Sequence, residues 1–97
     1  MADYKLTNKA DADLADIFEY GIFNFGIEQA SKYVLGFQDK FQFIVEHKEL
    51  GASAEELNKN LKRVPYNSHV IFYKVLAEHI LIVRVLRREM DFRRHIY

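Results

Sequence analysis

Ninety-seven residues, nearly half of them apolar and including six Tyr and eight Phe but only one Pro and four Gly, suffice for one cored domain and exclude a disordered chain. The lack of Cys excludes disulfides and thiolate zinc sites, as expected of a reducing compartment. Formal net charge is zero, yet residues 1–60 carry six Lys against eleven acids and residues 61–97 eight Lys or Arg against three, so minus five is followed by plus five.

The start, Met1-Ala2-Asp3-Tyr4-Lys5, lacks the basic and then apolar pattern of a signal peptide, and no apolar run approaches the roughly 20 residues of a membrane span. A cytoplasmic protein with no membrane association is expected. Tyr4 to Leu6 alternates as a short strand, and Thr7 is placed to cap a helix whose early Asp11 and Asp13 favour the positive end. Ala10, Leu14, Ile17, Phe18, Gly21, Ile22 and Phe25 mark one face of that helix, and Gly26 supplies its stop. A second helix with the stripe Ala30, Tyr33, Val34, Phe37, Phe41, Ile44 and Val45 follows at once and runs until Gly51, so the two form an antiparallel hairpin.

Ser53-Ala54-Glu55-Glu56 fits a capping box, for a single helical turn or a loop before Leu57. The period then changes to strands at Leu61 to Val64, His69 to Leu76 and Ile80 to Leu86, with Pro65 at a strand end and Tyr66-Asn67-Ser68 as a turn. Val70 to Tyr73 and Ile80 to Val83 are apolar on both faces, which marks central strands. The fold class is α+β: an N-terminal strand and a helical hairpin packed on a small, mostly antiparallel sheet, in one domain over residues 1–97.

All six arginines (Arg63, Arg84, Arg87, Arg88, Arg93, Arg94) lie in the second, basic segment. Arginine suits bidentate recognition of carboxylate and phosphate, so this end reads as a surface for another macromolecule. Strict alternation puts Arg84 on one strand face with Ile80, Ile82 and Leu86, where it either pairs with an acid from the helices or contacts a partner. His69, His79 and His95 show no i, i+4 pair, so neither a metal nor a cofactor is expected. Tyr20, Tyr33, Phe37 and Phe41 read as core or interface, and neither a phosphate-binding glycine loop nor a nucleophile motif is present.

The ordered set formed by Lys5 to Tyr20, Phe25-Gly26 with Gln29-Ala30 and Tyr33, His69-Val70-Ile71-Phe72-Tyr73, Ile82-Val83-Arg84-Val85-Leu86, and Met90-Asp91 with Arg94-His95 resembles ParE-type toxins of the RelE/ParE superfamily. The resemblance covers almost the whole chain. It implies a non-enzymatic toxin of a type II toxin-antitoxin module that inhibits DNA gyrase. A cognate ParD-like antitoxin would neutralise it, and operator DNA would be contacted only through the antitoxin complex. It further implies a toxicity surface formed or supported by Arg84, Arg87, Arg88, Met90, Asp91, Arg94 and His95. Phe23, Phe37, Phe41 and Tyr73 are expected to meet the antitoxin. Arg87 stands where the ParE pattern usually has histidine, and Arg87-Arg88-Glu89 reads toward the ribosome-dependent mRNA interferases. In that alternative Arg84, Arg88, His95 and Tyr97 would act on the scissile phosphate. A third reading is a non-toxic homologue that only binds antitoxin.

Overall fold

In the computed structural model, which describes residues 3–96, the chain runs β1 (Tyr4–Leu6), α1 (Asn8–Phe25), α2 (Ile27–Glu46), β2 (Ala52–Ser53), β3 (Lys62–Tyr66), β4 (His69–Val75), β5 (Ile80–Arg87) and α3 (Phe92–His95). The strands form one sheet in the order β1-β5-β4-β3-β2, parallel between β1 and β5 and antiparallel elsewhere. Long apolar β4 and β5 are thus central, as their two-sided composition requires. No helix among the described residues is long and apolar enough to cross a membrane.

Thr7 starts α1 as expected: its Oγ1 accepts from the Ala10 amide at 3.0 Å and donates to the Val83 carbonyl at 2.7 Å. One hydroxyl therefore caps the helix and ties it to β5. Gly26, at φ 89, ends α1 and turns the chain directly into α2, a conformation that a Cβ would strain. The hairpin closes tightly because a Cβ on Gly21 would lie only 3.0 Å from that of Ala30, so bulk there would part the helices. Helix α2 ends at Glu46, five residues before Gly51; the Lys48 carbonyl and the Gly51 amide instead engage the Tyr73 hydroxyl, each at 2.9 Å. The Ser53-Ala54-Glu55-Glu56 stretch forms turns rather than a helix, with Ser53 at the end of β2.

Both sheet faces are covered. Under the helices lie Phe37, Phe41, Ile44, Val64, Ile71, Tyr73, Ile80, Ile82 and Val85. Beneath the other face, Ala54, Leu61, Val70, Phe72, Leu86 and Ile96 form a smaller core, with Phe92 stacked edge-on against Phe72 at 5.0 Å. The C-terminal segment is therefore a packed flap.

A β-bulge joins the two cores. Tyr73 pairs with Ile82 and Phe72 with Arg84, so Val83 has no opposite number and the alternation shifts by one. Ile82 and Val85 both face the helices while Leu86 faces the flap. The expectation that Arg84, Ile82 and Leu86 share a face is corrected by this extra residue. Phe37, Phe41 and Tyr73 also need correction as antitoxin contacts: all three are fully buried within the chain, where no partner reaches them. Burying each ring here stabilises the fold by about 1.5–3 kcal/mol, which explains why the fold itself claims them.

Candidate functional site

The apolar face of α1 is only partly used by its own chain. Of its 18 residues only Ala10 is buried, whereas Leu14 and Ile17 pack at the margin of the core. The hairpin tip lies open, with Phe23 at 92%, Phe25 at 69% and Tyr20 at 64% exposure. Phe23, one of the expected antitoxin contacts, is accessible to a partner.

Between this half-covered face and the sheet end near the β3–β4 turn runs an open groove of ≈ 1060 Å³. Ile17, Tyr20 and Phe25 line one wall, and Tyr66, His69 and Arg87 lie opposite. The turn is formed by Asn67, at φ 54, and Ser68, which let β3 fold back onto β4. His69 begins β4 opposite Arg87, and is the one buried polar side chain among the described residues, at 8% exposure. Its Nδ1 lies 2.8 Å from the Tyr33 hydroxyl, and Phe37 meets the ring edge-on at 5.5 Å. Burial holds the imidazole below the usual histidine pKa; the Arg87 charge adds to this, while Glu89 and Asp13 oppose it. The neutral ring is therefore favoured.

Arg84 is a strut. Its Nε and Nη2 grip the two Asp13 carboxylate oxygens at 2.8 Å each, and Nη1 donates to the His95 carbonyl at 2.9 Å. Asp13 Oδ2 also accepts from the Val85 amide at 2.9 Å. Arg84 and Asp13 are nearly buried, so removing either leaves a charge with poor access to water. The ion-pair alternative for Arg84 is the one realised, and it orients α1, β5 and the flap together.

The remaining C-terminal residues divide by role. Arg87, Arg88 and Arg94 are exposed, with Arg88 Nε donating to the Asn67 carbonyl at 2.7 Å. Asp91 caps α3 by accepting from the Arg93 amide at 3.2 Å and lies 3.6 Å from Arg94. Met90 packs against the smaller core, while His95 contributes its carbonyl to Arg84. Of the four residues cast in the nuclease alternative, Arg84 is occupied by Asp13, and Tyr97 lies outside the described residues. Among the described residues no three His, Cys, Asp or Glu side chains form a metal-holding group.

In the sequence His69 stands at the head of a strand without metal-site spacing, and Tyr33 in an apolar stripe. Their pairing joins α2 to β4, which are 36 residues apart, and spacing cannot show such a contact.

Comparison with known proteins places this architecture. The family model for the ParE toxin of the type II toxin-antitoxin system parDE matches residues 4–92. Toxin ParE1 of Caulobacter vibrioides is 38% identical over 96 residues, spanning 99% of both chains. Toxin ParE1 of Mycobacterium tuberculosis is 28% identical over 94 residues, spanning 96% of both. A chain from the solved chromosomal ParDE system of P. aeruginosa shares the fold with a TM-score of 0.79 at 24% identity, covering 92% of this chain and 98% of that one.

Proposed function

We propose a function from one premise: the chain belongs to the ParE toxin family of type II toxin-antitoxin systems. Free in the cytoplasm, this toxin inhibits DNA gyrase, and a ParD-like antitoxin neutralises it. The antitoxin seats an apolar face of its own in the groove and over the hairpin tip. The observation carrying that placement is α1, whose apolar face ends in Phe25, 69% exposed and lining the groove, and is left half covered by the rest of the chain.

The exposed arginines Arg87, Arg88 and Arg94 form the surface that meets gyrase, and Arg84, Met90, Asp91 and His95 hold that surface in place. A stoichiometric inhibitor fits these residues better than an mRNA interferase does. Cleavage through the 2′-hydroxyl needs a cation at the scissile phosphate, and of the two arginines cast in that part Arg84 is committed to Asp13 and the His95 carbonyl, which leaves exposed Arg88 to supply it.

The test adds purified toxin to gyrase and to a translating extract in parallel. Loss of supercoiling with accumulation of cleaved DNA complex, reversed by antitoxin, is the expected result. Unchanged supercoiling with cut ribosome-bound message would replace this reading by the interferase. Growth unaffected by the toxin alone, with antitoxin still bound, would point to the non-toxic homologue.

A further inference from the structure

The most unusual group in the groove is His69. The Tyr33 hydroxyl engages its Nδ1 at 2.8 Å, with the Ser68 hydroxyl 3.5 Å from the same atom, and among the described residues no side chain or backbone group hydrogen-bonds Nε2. Among the described residues no buried side-chain nitrogen or oxygen lacks a partner, so Nε2 must open on the groove that His69 lines. A residue more than nine-tenths buried, held from behind by a hydroxyl and lining a groove with apolar walls, is built to meet a hydrogen-bonding group.

We infer that His69 Nε2, with Arg87 beside it in the strand ladder, is the polar anchor of the groove and takes a carboxylate carried by an otherwise apolar, amphipathic antitoxin segment. This rests on the reading that the groove receives the antitoxin. Apolar walls fix the nature of the segment, since Ile17, Tyr20 and Phe25 offer area and few hydrogen bonds. Charge fixes the anchored group. His69 is faced by Tyr33 from α2, Tyr66 from β3, Arg87 at the end of β5, Glu89 just beyond it, and Asp13 from α1. The Asp13 charge is already met by Arg84. Lys32 and Asp16 also line the groove. Arg87 is the cross-strand partner of His69 and lines the same groove, so an anion meeting the ring there has a cation beside it. A carboxylate bridging Nε2 and the Arg87 guanidinium gains two charge-assisted bonds once the ring is protonated.

The sign of the proton linkage follows. Free His69 favours the neutral form, and a bound carboxylate favours the protonated form, so docking takes up a proton and tightens as pH falls.

The experiment measures calorimetric affinity of the full-length toxin for purified antitoxin from the same operon, from about pH 8 to about pH 6. Wild type should tighten on the order of tenfold, the worth of one hydrogen bond to a charged group. His69→Gln should bind more weakly with a flat profile, and exposed Arg87→Gln should weaken binding without altering the melting temperature. The His69 imidazole resonance should also titrate at higher pH in the complex than in free toxin. This tests the idea in the unmutated protein should His69→Gln fold poorly. A flat wild-type profile, a His69→Gln profile with the wild-type slope, or an unshifted imidazole overturns the anchor. Tyr20→Glu separates the two claims: if it weakens binding while His69 proves inert, the groove stands and the anchor falls, whereas wild-type affinity in Tyr20→Glu removes the groove itself.

Discussion

The two long helices have nearly equal lengths and similar amphipathic stripes, but the fold uses them differently. Helix α2 buries Ala30, Phe37, Phe41, Ile44 and Val45, whereas α1 buries Ala10 alone. Helix α2 is held by apolar area. At its N-terminal half, α1 is held by polar links to the sheet: Thr7 to Val83, and Asp13 to Arg84 and Val85. An apolar stripe therefore reports that a face will be covered without saying whether its own chain or a partner covers it.

Mutations can break this contrast. Phe41→Ala should cost the most, about 3–5 kcal/mol in denaturant unfolding, because it opens a cavity under α2. If the loss is under about 1 kcal/mol, α2 is not the apolar anchor described. Asp13→Ala should cost about 3 kcal/mol by removing the carboxylate that neutralises the nearly buried Arg84 and by freeing the Val85 amide. Restoration in an Asp13→Ala, Arg84→Leu double variant would show that the charge left without that carboxylate causes the loss. Thr7→Ala removes both the cap and the tie to β5 and should cost about 1 kcal/mol.

Acidity should sharpen the contrast at the groove. The folded pKa of His69 is lowered, so its contribution is fully present above the ordinary histidine range and is lost as pH falls through that range toward the folded value. Melting temperatures of wild type and His69→Gln across mildly acidic pH should converge on acidification; parallel curves would reject that assignment. The smallest stability effect belongs to Phe23→Ala, within about 0.5 kcal/mol of wild type, since the side chain is open to solvent. The same change should weaken antitoxin capture in a binding titration, and unchanged capture would remove the tip from the interface.

Local rules made the frame legible. Thr7 as a cap, Gly26 as the hairpin turn and the two-sided apolar runs of β4 and β5 each follow from a residue type at a position. The bulge at Val83 was not legible, because one unpaired residue leaves no compositional mark and yet moves Leu86 to the opposite face. Burial defeated the reading of Phe37, Phe41 and Tyr73, since periodicity puts apolar residues on a face without fixing their depth. Arg84 was legible only as two alternatives; Asp13, 71 residues away in sequence, selected between them.

The three hydrogen bonds accepted by Asp13 also bear on how any extended chain could dock. Beyond the short β1, the outer rim of β5 would present bare backbone groups to an incoming strand. The Thr7 hydroxyl takes the Val83 carbonyl and Asp13 takes the Val85 amide, so helix side chains stand in for a missing neighbour. On the opposite side, β3 extends past β2 through Pro65, which has no amide to donate. Zipper-like lengthening of the sheet is discouraged along both of these rims, which protects a free toxin from edge-to-edge self-association.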